Sequence, residues 1–208
     1  MEHTADLRSF GRYASLNVLG MLGLSCYILA DTFFVSCGMG ANGLAALNIA
    51  IPAYNLLNGL GLMIGVGGAT RYTVSCAQCD NISADRAFTH AVGLGLAVGL
   101  LFMLIGLAGA APVSRLLGAD ADTFPLTSVY LRTLLSSAPF FVMNNVLLAF
   151  VRNDGAPGRA MCGMIVGSLS NVVLDYVFIF PCDWGMFGAA FATGLSPIIS
   201  LLILSGHL

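Results

Sequence analysis

The chain has 208 residues, of which 58% are hydrophobic and only 9% charged, with a mean hydropathy of +0.89 and a formal net charge of −2. Soluble domains carry about 25% charged residues, so this composition excludes an ordinary soluble globular protein. The basic residues are all arginine and form no run, which also argues against a nucleic-acid-binding surface.

No charge lies between Arg12 and Asp31, between Asp31 and Arg71, or between Arg86 and Arg115. A crossing needs roughly 20 apolar residues, so these stretches predict membrane spans in an all-α membrane protein. Six are expected over the single unit 1–208: about 13–37, 44–74, 87–111, 127–151, 160–180 and 186–204. The polar N-terminus lacks a small-residue cleavage site, which predicts no removable signal peptide. The charge-free stretch from Thr32 to Thr70 is too long for one crossing, and the glycines between Gly38 and Gly43 mark its turn. Pro112, Pro125, Pro157 and Pro181 accompany the later breaks, while Pro52 and Pro139 predict kinks inside helices 2 and 4. Short connections make sequential helices antiparallel neighbours.

The arginines set an orientation. Arg8, Arg12, Arg71, Arg86, Arg152 and Arg159 fall on one side, expected to be cytoplasmic. Arg115 lies on the other, with Arg132 near the outer end of helix 4. Both termini are then cytoplasmic in a multi-pass protein of the cell membrane. The six cysteines include one pair with ligand spacing, Cys76 and Cys79. A lone CxxC without a second pair or a nearby histidine reads as free thiols.

Two carboxylates sit inside apolar spans, Asp31 in helix 1 and Asp175 in helix 5. A carboxylate at membrane depth costs about 2.5–3.5 kcal/mol on insertion scales and marks an ion pathway, proton relay or substrate site. With the arginine-derived orientation, Asp31, Asp175 and Thr193 all lie roughly 8–11 Å below the outer surface, at 1.5 Å per residue. Asn171 precedes Asp175 by one turn on the same face. Carboxylate, amide and hydroxyl oxygens suit a hard cation such as Na⁺, and the same carboxylates could instead hold a proton. No other cofactor is expected. Asn48, Asn55 and Asn58 form a stripe on helix 2, and Asn144 and Asn145 lie in helix 4. These amides line a substrate cavity or tie helices together. The small-xxx-small pairs Gly61–Gly65, Gly95–Gly99 and Gly163–Gly167 predict close backbone approach.

Four stretches resemble the multidrug and toxin extrusion (MATE) family, specifically the N-terminal six-helix lobe of a bacterial member. They are LADTFFVSCGMGANGLAALNIAIPAYNL, GLGLMIGVGGATRYTV, FVRNDGAPGRAMCGMIVGSLSNVVLDYVFIF and DWGMFGAAFATGLSP. The resemblance implies one lobe of a twelve-helix antiporter that exports cationic or amphipathic drugs against a Na⁺ or H⁺ gradient by alternating access. It also implies a second six-helix lobe as partner. In the branch with its cation site in the first lobe, Asp31, Asn171, Asp175 and Thr193 match the family's ligand positions. That branch often carries a proline early in helix 1, where SLNVLGMLG has none. The sequence ends at Leu208 after the sixth span, as in a fragment, a truncated product or half of an assembly.

Three other functions are open to a chain of this kind. A lipid-linked oligosaccharide flippase of the same superfamily favours arginines in mid-span, and none is there. An intramembrane serine protease needs a histidine at depth, whereas His3, His90 and His207 lie at or near span ends, so no enzyme is expected. An interaction-only half-transporter would bind a partner without cycling.

Overall fold

The computed structural model describes the backbone of residues 2–206; ahead of Ser25, side chains are described only at Ser15, Val18 and Leu22. The side chains of Arg8 and Arg12, and His3 and His207, lie outside the described residues.

Six helical elements follow in chain order: α1 (Glu2–Ala77), α2 (Asn81–Leu116), α3 (Phe124–Ser136), α4 (Ala138–Asn153), α5 (Pro157–Ile179) and α6 (Gly185–Ser205). The apolar part of α1 alone, Ser25–Ala77, is 53 residues long. At 1.5 Å per residue that is about 80 Å, far more than one bilayer core. It breaks at Gly40, the one residue inside α1 with non-helical angles (φ 64°, ψ −155°). The Tyr27 and Tyr54 hydroxyls, placed almost symmetrically about Gly40, share a hydrogen bond of 2.6 Å. The two arms of α1 therefore fold back on each other, as the glycine cluster predicts. Gly40 occupies a region of φ/ψ space that is essentially glycine-only. Gly40→Ala should lower thermal stability in detergent by about 1–3 kcal/mol, although a Cβ there would touch nothing. An unchanged melting temperature would mean that the turn can re-form elsewhere in the cluster.

The fourth expected span is two helices, α3 and α4, bent by 50°. Pro139 has no N–H to give to the preceding turn, so the ladder breaks just ahead of it. Ser137 takes up the slack, its N–H donating to Leu134 O at 3.1 Å. Pro112 breaks nothing: α2 runs through it to Leu116, and the chain turns at Gly118 (φ 96°). Pro52 likewise lies inside the continuous second arm of α1. At its other end α2 is capped by Asp80, whose Oδ1 accepts from Ser83 N at 3.0 Å.

Four helices among the described residues are long and apolar enough to cross a membrane, or five with the bent pair counted as one. Division of the first at Gly40 makes six arms. The core is built from small and branched residues, including Ala46, Ala50, Ala138, Ala189, Ala190, Val142 and Val146. Leucines fall on both sides: Leu57, Leu131, Leu134 and Leu135 are buried, whereas Leu94, Leu100, Leu101 and Leu104 of α2 face outward. The exposed apolar side chains of α2 suit a lipid solvent. Half of the apolar stretch of α6 is buried, against 22% for α2, so α6 is central and α2 peripheral.

Close approach happens where glycine allows it. A Cβ at Gly65 would lie 2.8 Å from Asn145 O, and one at Gly99 would lie 2.5 Å from Pro139 Cα. The Gly163–Gly167 face meets Ser196, Ser200 and Leu204 of α6, with nearest approaches of 3.1–3.3 Å.

Candidate cation site

Three helices deliver the polar cluster. The first arm of α1 supplies Asp31, α5 supplies Asn171 and Asp175 one turn apart, and α6 supplies Thr193. All four are buried, Asn171 and Asp175 completely. Such burial demands partners, because an isolated charge in an apolar interior is too costly to persist.

Asn171 is best oriented with its amide nitrogen toward the carboxylate. It then donates to Asp175 Oδ2 at 3.0 Å and accepts from Thr193 N at 3.3 Å. The Thr193 hydroxyl donates to Ala189 O at 2.9 Å within its own helix. Its proton is thereby committed, and its lone pairs remain to accept. Asp31 Oδ1 and Asp175 Oδ1 are buried with no protein donor in reach. The two carboxylates come from different helices yet lie close enough for their charges to interact.

Two buried acceptor oxygens and a threonine hydroxyl fit a small hard cation, which binds through oxygen, with the Asn171 amide holding Asp175 in place. They equally fit a proton shared within a carboxylate pair, since two like charges in one dry site repel. Either occupant would satisfy what the protein leaves unsatisfied.

Beside the cluster, and on the helix turn that leads to it, lie side chains that carry no charge to betray them in the sequence. Tyr130 of α3 is buried within electrostatic reach of Asp31, Asp175 and Tyr54. Tyr27, one helical turn before Asp31, is bonded to Tyr54 across the hairpin. Thr127, on the turn before Tyr130, buries a hydroxyl with no protein partner. Aromatic and hydroxyl residues are ordinary in a membrane helix. Only the helical spacing of Tyr27 and Asp31 hinted at a shared face.

The asparagine stripe divides. Asn145 Nδ2 donates to Asn58 Oδ1 at 3.0 Å and to Phe141 O at 3.1 Å, while Asn58 Nδ2 donates to Tyr54 O at 3.1 Å. This pair ties the second arm of α1 to α4, and Gly61 makes room for it. Asn48 and Asn55 are exposed. All six cysteines are free and exposed, including Cys76 and Cys79.

The MatE family model matches residues 18–177. The multidrug export protein MepA of Staphylococcus saprophyticus is 29% identical over 185 residues, which are 89% of this chain and 41% of MepA. Among solved structures, a multidrug resistance MATE family transporter of the MOP superfamily in an outward-facing conformation is similar, at 34% identity and a TM-score of 0.85. That match covers 92% of this chain and 43% of the other. An inward-facing conformation of such a transporter gives 34% identity and a TM-score of 0.82 over 88% of this chain and 41% of the other. The chain thus spans well under half the length of the relatives it matches. With six helical arms, a buried oxygen-lined cluster supplied by three of them and a family match over most of its length, the chain belongs to the MatE family.

Proposed function

We propose that this chain is the N-terminal lobe of a cation-coupled multidrug efflux antiporter, driven by Na⁺ or H⁺. The observation that carries this reading is the buried cluster of Asp31, Asn171, Asp175 and Thr193. It leaves two carboxylate oxygens unsatisfied, and no arginine among the described residues acts on either carboxylate. A driving ion shifts a conformational equilibrium only through its different affinity for the two states. A site made by three separate helices supplies such a difference when those helices tilt.

The relatives support rocking of whole lobes. One lobe shape fits both an outward-facing and an inward-facing transporter, as expected if each lobe moves as a unit. The opposite wall of the cavity then belongs to a second six-helix lobe. Asn48 and Asn55, exposed on the second arm of α1, would then meet cationic or amphipathic substrates in that cavity.

The test is transport. Proteoliposomes containing this lobe joined to a MatE second lobe should move a cationic dye when a Na⁺ or pH gradient is imposed, and only one of the two gradients should serve. Dye movement that is indifferent to both gradients would reject coupling.

Topology follows from the arginines, with both termini cytoplasmic in the plasma or inner membrane. Cys76, Cys79 and Cys182 are all exposed on the protein, so the membrane alone decides their labelling in single-cysteine variants. An impermeant maleimide added outside cells should modify Cys182 and spare Cys76 and Cys79. The reverse pattern would invert the orientation.

A further inference from the structure

The hairpin between the second arm of α1 and α2 encloses a groove of about 580 Å³, far along the chain from the carboxylate cluster. Its mouth is polar, with Arg71, Ser83, Arg86 and His90. Its deeper part is apolar, with Met63, Ile64, Gly67, Ala91 and Leu94. The order follows from helix geometry. Arg86, His90 and Leu94 recur every fourth residue down one face of α2, and Arg71, Gly67 and Met63 do the same on the facing arm. From Arg86 to Leu94 the groove descends about 12 Å into the bilayer.

Both guanidiniums are exposed, and neither is hydrogen-bonded or ion-paired to another described residue. Asp80 lies within electrostatic reach of Arg86, but its Oδ1 already accepts from Ser83 N. No carboxylate lines the groove. Gly67 keeps it open: a Cβ built there would meet nothing within 4 Å. Neighbouring Gly68 packs instead against Ala91 and Phe150.

We propose that this groove binds an anionic phospholipid. Arg71 and Arg86 hold the phosphate, with Ser83 and His90 beside it, and an acyl chain lies along Gly67, Met63 and Leu94. Two unpaired cations at a membrane interface, above an apolar channel of acyl-chain character, match a molecule with an anionic head and apolar tail. A free anion would use only the mouth. This inference rests on the membrane-spanning fold and is independent of cation coupling.

Native mass spectrometry of the chain released from micelles containing equal phosphatidylglycerol and phosphatidylcholine tests it. Phosphatidylglycerol adducts should predominate. Arg71→Gln with Arg86→Gln should weaken retention about thirtyfold, two basic contacts being lost at a membrane surface. Gly67→Leu keeps both charges and fills the apolar channel, so it should also weaken retention, and it decides the matter if the double variant does not fold. Excess inorganic phosphate should not displace the lipid. Equal retention of both lipids, or full retention in either variant, would overturn the proposal. So would displacement by phosphate alone, which would mark a simple anion site. Protection of Gly67→Cys from maleimide by a joined second lobe, and not by phosphatidylglycerol, would give the groove to the protein partner.

Discussion

Asp31→Asn and Asp175→Asn should each remove the stabilisation that the proposed coupling cation would give the folded protein. A ligand that binds only the native state stabilises it by about 2.7 kcal/mol at a hundredfold excess over its Kd. Thermal unfolding of the purified chain, measured with and without Na⁺ and across pH, would show that increment in the wild type. The two asparagine variants should lose most of it, because each replaces an anionic oxygen by a neutral amide. Thr193→Ala should lose least, since it removes one neutral oxygen whose proton is already given to Ala189 O. Asn171→Ala should fall between, because its amide spans Asp175 and the backbone of Thr193. In a full two-lobe transporter the same order should appear in exchange, with both aspartate variants inactive at normal protein levels. A cation increment that persists in both aspartate variants would send the coupling site elsewhere.

Gly99→Leu should be among the most destabilising changes in the bundle. A Cβ at Gly99 already stands 2.5 Å from Pro139 Cα and 3.1 Å from Pro139 N. Backbone cannot swing aside as a side chain can, so α2 must move off α4. Overpacking of this kind costs about 1–3 kcal/mol when the surroundings adjust, and more when they cannot. Gly93→Leu, two turns away on the same helix, is the control. Nothing lies within 4 Å of its Cβ position, and its change should stay within about 0.5 kcal/mol. Gly163→Leu and Gly167→Leu should fall between, as their neighbours stand at 3.1 Å or more. If Gly99→Leu and Gly93→Leu melted alike, α2 would not be packed against Pro139 at the start of α4.

Asp31, Asn171, Asp175 and Thr193 were legible in the sequence because polar residues are rare in apolar spans, and helix rise sets their depth. The four reached one layer by arithmetic alone, and the structure brings them into one cluster. Tyr130 and Thr127 were not legible. Their residue types are common at such positions, and their place depends on how α3 leans on α6, a tertiary fact with no local signature. The same holds for Asn58 and Asn145. Periodicity put Asn58 on a stripe, but nothing in it identifies a partner 87 residues away. Pro139 announced a disturbance in the fourth span, whereas the 50° bend was visible only once Ser137 and its neighbours were placed.

That bend touches the cluster. The face of Gly194 that a side chain would fill is occupied by the Ser137 hydroxyl, and Gly194 follows Thr193 directly in α6. The joint between α3 and α4 is thus seated one residue from a candidate ion ligand, with no compressible side chain between them. Any shift of α6 that draws Thr193 toward an arriving cation must push on that joint or pull away from it. α4 leaves the joint carrying Asn145, which holds the second arm of α1 through Asn58. Packing thus links Thr193 to the wall of the lobe that bears Asn48 and Asn55, through Gly194, Ser137 and the Asn145–Asn58 bond.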